Sequence, residues 1–284
     1  MHDIAFDGIH DEIVVTNPLA QAILTFRGAA NGEEAPLRYI QGDKTQIKGL
    51  GAAGKVSIDP VHNEIFFATP DQTILVFDRL AQGNVAPKRV LGGPDTQISL
   101  GTQNTNDYTA DSKTGPDGGN VYSVYGGGNV PCIRIDPIHN LLLVPTVGAR
   151  GRGGAGGGGG GKILVFDRTA SGNAPPKAII QGPVGLGNQF EVYAPKSRLI
   201  TYTRGNIEIW KIPENGVSTD RPLRIAAPVG RGGGDIGIVL DPLHKEVIVA
   251  TAAGNSVVTF SVPEVFDDWP AGGPLSTSTV LSPR

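Results

Sequence analysis

The stretch "KVSIDPVHNEIFFATPDQTILVFDRLAQGNVAPKRVLGG", residues 55–93, decides the fold. It contains four runs, KVSID, EIFFAT, TILVFDR and PKRVLGG, each set off from the next by Gly, Pro, Asn or Asp. Short β-branched and aromatic runs between turn formers read as strands, and none has the length or the 3.6-residue period of a helix. We letter these strands a to d.

The stretch recurs along the chain. "CIRIDPIHNLLLVPT" at 132–146 continues, beyond a glycine tract, as "KILVFDRTASGNAPPKAIIQG" at 162–182. "DIAFDGIHDEIVVTNPLAQAILTFRGAANGEEAPLRYIQG" at 3–42 is an earlier copy, "FEVYAPKSRLITYTRGNIEIWKIPENGVSTDRPLRIAAP" at 190–228 a weaker one, and "IGIVLDPLHKEVIVATAAGNSVVTFSV" opens a last one at 236. The repeats run approximately 1–42, 55–93, 132–182, 190–228 and 236–284, with inserted loops at 94–131 and 148–161. A repeat of four short strands is one blade of a β-propeller, so the expected fold is all-β, a single propeller domain of four-stranded antiparallel blades. Runs such as EIVV, ILVF and LLLV are apolar at successive positions, which suits strands covered on both faces by neighbouring blades.

The chain resembles the bacterial propeller-repeat proteins of the NHL and YVTN type. The resemblance rests on "EIVVTNPLAQAILTF" at 12–26, on the G-N-x-x-P-x-R-x-[IL]-x-G element, GNVAPKRVLGG at 83–93, and on DPxHNE in the a–b turn. It implies the fold and no single activity, since such propellers include scaffolds, ligand binders, lyases and lactonases. The family usually closes with six blades, which leaves two expectations. Either five blades close directly, or a blade upstream of Met1 is missing, together with any signal peptide it followed. The chain as written shows no basic start followed by a hydrophobic stretch and reads as cytoplasmic. A missing leader would make it extracytoplasmic.

Composition narrows the function classes. Hydrophobic residues make up 39% of the 284 positions, enough for a core, and no apolar run is long enough to span a bilayer. The net charge of −3 provides no field to gather a polyanion, so nucleic acid is not an expected partner. Cys132 is the single cysteine and is read as a small buried residue at the start of a strand.

Four of the five histidines occupy one slot: DGIHD at 7–11, DPVHN at 59–63, DPIHN at 136–140 and DPLHK at 241–245. Asp caps such a turn, Pro fixes its first corner and Asn accepts a left-handed backbone. Asp7, His10, Asp59, His62, Asp136, His139, Asp241 and His244 are therefore read as turn residues. Equivalent turns on neighbouring blades sit about 10 Å apart, too far for histidines to share one metal.

The c–d connections are uniform, whereas the b–c and d-to-a connections, on the opposite face of the disk, carry the insertions. Function is expected on that long-loop face. Its candidate ligand-binding residues are Tyr108, Tyr122 and Tyr125 for stacking, with Arg150, Arg152, Arg231 and Asp235 around them. The glycine tract before Lys162 leads into a strand, not a helix, and so is not a phosphate loop. The resulting expectation is a non-enzymatic binding propeller with no cofactor, presenting a small-molecule, glycan or protein site around the central channel. The alternative is a hydrolase or lyase of the lactonase kind with a divalent metal held by acidic residues at the channel mouth. Oligomer assembly through an unpaired blade edge follows if a blade is missing.

Overall fold

The computed structural model describes residues 3–17, 20–47, 55–69, 72–98, 132–146, 161–182, 190–203, 205–229, 235–251 and 256–269. They form five blades of a β-propeller. The first runs β1 (Ile4–Asp7), β2 (Glu12–Asn17), β3 (Ala22–Arg27), β4 (Arg38–Gln41), and the second β5 (Val56–Asp59), β6 (Glu64–Ala68), β7 (Ile74–Asp78), β8 (Arg89–Leu91). The third is β9 (Arg134–Asp136), β10 (Leu141–Thr146), β11 (Lys162–Asp167), β12 (Ala178–Gln181). The fourth is β13 (Phe190–Tyr193), β14 (Arg198–Thr203), β15 (Asn206–Lys211) and β17 (Leu223–Ala226), and the fifth β18 (Asp235–Asp241), β19 (Glu246–Thr251), β20 (Ser256–Ser261). Each blade is an antiparallel meander in sequence order. The fifth repeat shows three strands among the described residues, and the stretch expected to hold its fourth lies outside them.

The apolar runs are buried because each blade is covered on both sides. All five residues of β6 are buried. Alternate side chains point to the next blade and to the preceding one, which we call the forward and backward faces. Val14, Ile23 and Ile40 of the first blade meet Ile65, Phe67 and Phe77 of the second. Phe66, Ile74 and Val76 then meet Leu142, Val144 and Phe166. Leu143, Ile163 and Val165 meet Phe190, Leu199 and Trp210, and Ile200, Ile207 and Ile209 meet Val247, Val249 and Phe260. Among the described residues these four clusters join five blades in series, and no fifth cluster joins the last blade to the first.

The c–d hairpins add a second device. Gly83 bridges in parallel to Ile40 of the preceding blade and Gly172 to Leu91. In the fourth blade the same hairpin lengthens into β16 (Gly216–Ser218), which lies parallel to β12 as a fifth strand of the third sheet. Asn84 and Asn173, next to those glycines, accept the backbone N–H of Lys44 and Asp95 from the preceding blade, at 2.8 and 2.7 Å. Each comes so close to Gly42 or Gly93 that a Cβ there would lie 2.5 Å from the asparagine side chain, and both glycines have φ above 120°. No residue but glycine fits those two corners. The uniformity of the c–d connections thus has a packing cause.

Candidate functional site

The a–b turns are built by their aspartates. In the first blade, one carboxylate oxygen of Asp7 accepts the backbone N–H of Ile9 and of His10, both at 2.9 Å, and the other pairs with His10 Nδ1 at 2.8 Å. Asp59 does the same for Val61, His62 and the His62 ring at 3.1, 3.1 and 2.7 Å, and Asp136 for Ile138, His139 and its ring at 3.0, 2.9 and 2.8 Å. Asp241 repeats it at 3.0, 3.2 and 2.7 Å. The turns end on a left-handed residue, Asp11, Asn63, Asn140 or Lys245, with φ between 54° and 56°. Each histidine ring is thereby committed through Nδ1 to its own aspartate. Among the described residues no three His, Cys, Asp or Glu side chains gather as a metal site.

The fourth blade reaches the same backbone without the motif. Tyr193 stands in the aspartate slot, residues 194–196 form a single turn of 3-10 helix, and Ser197 takes the left-handed position at φ 48°. Ser197 Oγ lies 3.4 Å from the His139 ring, and Lys196 donates to Asp268 beyond the fifth blade. Adjacent turns therefore share one face of the disk.

These turns expose what lies between the caps. With its N–H directed back at the aspartate, the third residue of each motif projects to solvent. That residue is Ile9, Val61, Ile138 and Leu243, between 55% and 84% exposed, and the fourth blade presents the exposed Pro195. Leu80, at the c–d corner on this face, is exposed too. Single exposed aliphatics are ordinary, but the same rigid slot filled five times by an apolar side chain is a pattern. The sequence carried the signal, as I, V, I and L at one repeat position, and reading the motif for its caps alone passed over it.

Electrostatics behind the face are set by arginines from the following blade. Arg79 donates to Asn63 at 2.8 Å and to Glu12 at 2.7 Å, and its Nε lies 4.0 Å from Asp7. Arg168 donates to Asn140 at 3.1 Å and to Glu64, and lies 3.4 Å from Asp59. At the fifth blade the hydrogen bond with Asp241 raises His244 above its ordinary value, and the same bond lowers Asp241. Arg198, at the slot of Glu64, instead caps a helical turn after the fifth blade, donating to the carbonyls of Glu264, Val265 and Asp267, each at 2.8 Å, and stacking 4.2 Å over Trp269.

Tyr108, Tyr122, Tyr125, Arg150, Arg152 and Arg231 all lie outside the described residues, as does most of both inserted loops. Asp235 opens β18 opposite Thr251. Cys132 is buried, its thiol 3.4 Å from the Phe190 N–H, and burial pushes its pKa up.

No family model matches the sequence, and no curated protein matches it either. Solved β-propellers match the fold. Against the nidogen/laminin complex the TM-score is 0.57 at 14% identity, over 93% of this chain and 76% of that one. The β-propeller domain of Myceliophteria thermophila Cps50 (Swd1) gives 0.53 at 9%, over 99% and 69%. Kuenenia stuttgartiensis hydrazine synthase gives 0.50 at 11%, over 95% of this chain and 58% of the length of that one. At such identities the likeness is one of fold.

Proposed function

We propose that this chain is a non-enzymatic interaction propeller that docks a protein partner on the face carrying the DPxH turns. The observation behind the reading is the ring of exposed apolar side chains at Ile9, Val61, Ile138, Pro195 and Leu243, the first three on turns stiffened from behind by buried aspartates and Leu243 on a turn capped by the part-exposed Asp241. Rigid apolar anchors lose little entropy on binding, which is the property a docking face needs. One of the similar propellers was solved in a protein complex, that of nidogen with laminin, and this lends the class of function general support. Kinship with the NHL and YVTN propellers, and a further site among Tyr108, Tyr122, Tyr125, Arg150 and Arg152 on the long-loop face, belong to the proposal as its extensions. The lactonase-like alternative needs carboxylates converging on one cation, and no observation here favours it.

Photo-crosslinking in the native host tests the reading. A benzophenone amino acid is placed at 9, 61, 138 or 243, and for comparison at rim position 224 and loop position 108. The same adduct from at least two adjacent turns, absent from 224, is the expected result. Adducts from 108 alone would move the site to the loop face, and adducts from none of the turns would sink the proposal.

A further inference from the structure

The c–d hairpin of the fourth blade treats charge differently from its neighbours. The residue opposite the start of the second strand is Arg27, Asp78, Asp167 and Lys211 in four successive blades. The first three are answered within their own hairpins: Arg27 by Glu34 at 2.8 Å, Asp78 by Lys88 at 4.0 Å and Asp167 by Lys177 at 3.0 Å. Lys211 is not. Its hairpin returns through Arg221, a second exposed cation, and among the described residues neither side chain makes a hydrogen bond or an ion pair. Like charges gathered on one hairpin oppose folding, so packing does not account for them. Both line a cavity of about 270 Å³ whose other walls include Ile209, Leu223 and the indole of Trp269. Ile209 and Leu223 pair across the sheet. The indole is held in place, its Nε1 donating to the Glu264 carbonyl at 2.8 Å, with Arg198 4.2 Å and Lys211 5.7 Å from the ring centre. Asp220 is the one acid in the lining, which leaves a net positive charge there. The neighbouring a–b turn reaches the same place, since Lys196, next to Pro195, donates to Asp268, next to Trp269. The cavity thus adjoins the exposed apolar ring at the fourth blade.

We propose that this cavity takes an acidic apolar segment of the partner protein, an aliphatic or aromatic side chain beside an aspartate or glutamate. The inference rests on the docking reading for its face and names the chemistry that the face selects. A cavity of about 270 Å³ falls below the ~300 Å³ at which small-molecule sites begin, and it suits the single anchor side chain around which protein interfaces concentrate their affinity. The apolar body of that anchor displaces water from Ile209, Leu223 and the fixed indole, which has little freedom left to lose. Its neighbouring carboxylate accepts charge-assisted hydrogen bonds from Lys211 and Arg221 and removes their repulsion. A basic segment meets the same pair as a barrier. The chain does not supply such a carboxylate from nearby. Asp267 is taken by Lys245 at 2.7 Å and Asp268 by Lys196, and residues 270–284, PAGGPLSTSTVLSPR, contain neither Asp nor Glu.

The test uses the full chain and a phage library of short random peptides. Selection should enrich sequences with Asp or Glu next to Leu, Ile, Phe, Tyr or Trp. A labelled synthetic peptide of the enriched sequence, followed by fluorescence anisotropy, should bind at least about tenfold more weakly when its acid is made the amide, and equally so to Lys211→Glu or Arg221→Glu. Both positions are exposed, and circular dichroism checks that the variants keep their strands. Lys44→Glu, the same charge change in the exposed d-to-a connection of the first blade, should leave the affinity unchanged. Three outcomes overturn the proposal: no enrichment, enriched peptides without an acid, or binding that ignores Lys211→Glu and Arg221→Glu. The two readings fail separately. Turn adducts at 9 and 61 together with any of those three outcomes would keep the docking face and remove the pocket, whereas acid-dependent binding at Lys211 and Arg221 without turn adducts would keep the pocket and remove the ring.

Discussion

Two joints of the propeller solve the same problem with opposite chemistry. Between the second and third blades, Glu64 sits nearly buried and is held by Arg89 at 2.8 and 2.7 Å, by Lys88 at 3.0 Å and by Arg168 from across the joint. Between the third and fourth, the same three slots hold Leu141, Ala178 and Ile212, all buried in one apolar cluster. Glutamate and both arginines have been exchanged as a unit. The difference teaches that the joint requires a filled volume with every polar atom satisfied, and is indifferent to whether that volume is charged.

If so, breaking the charged joint by halves is the most damaging change. Glu64→Ala leaves Arg89 buried without a counter-charge and Arg168 with Asp59 alone, 3.4 Å away, and we expect a loss of about 3–5 kcal/mol in urea unfolding followed by tryptophan fluorescence. A loss below about 1 kcal/mol would mean that this network behaves as a surface ion pair and that the two joints are not equivalents. Glu12, with Arg38 and Arg79, is the same construction one joint earlier and should respond alike.

A turn change should cost less and should grade with burial. Asp59→Ala removes the acceptor for two backbone N–H groups and one imidazole, for about 1–3 kcal/mol. Asp241→Ala should shift the unfolding midpoint less, since Asp241 is part-exposed while Asp59 is wholly buried. Equal shifts would show that the capping bonds alone matter, and the arginine behind Asp59 not at all.

How much of this could be read in advance differs between fold and site. The strands of residues 55–93 were legible because their limits are set locally, by glycine, proline and asparagine at the corners: KVSID, EIFFAT, TILVFDR and PKRVLGG became β5 to β8 with ends moved by one or two residues. The joints were not, because Arg168 and Glu64 lie 104 positions apart and nothing local ties them. Their one trace in sequence is the simultaneous change of Glu to Leu, Arg to Ala and Arg to Ile when repeats are aligned. The extra strand β16 escaped for a related reason: GVS has no apolar run, and it pairs with the preceding blade rather than its own. The apolar ring on the turns was visible letter by letter, but whether a side chain at a turn is exposed depends on which way the capped N–H points.

The smallest expected effect is also the sharpest test. Glu64→Leu, Arg89→Ala and Arg168→Ile made together transplant the third joint's chemistry into the second. The triple variant should stay within about 1 kcal/mol of the parent or exceed it, although Glu64→Ala alone is severe. Two features make the exchange tolerable: Arg89 Nε is buried without a partner in the parent, so its removal relieves a cost, and Asp136 already keeps its turn with Ile212 where an arginine would be. Acid should separate the two proteins. Burial pushes the Glu64 carboxyl up, but hydrogen bonds from Arg89 and Lys88 outweigh it and hold it at about 2, below its ordinary 4.5. A folded value below the unfolded one means stability that is present above about pH 4.5 and lost as the pH falls toward about 2. The parent should therefore weaken across that window more steeply than the triple variant. Parallel acid curves would place the parent's acid sensitivity at Glu12 or elsewhere, and a triple variant as unstable as Glu64→Ala would show that the two joints differ in backbone shape and not only in side chains.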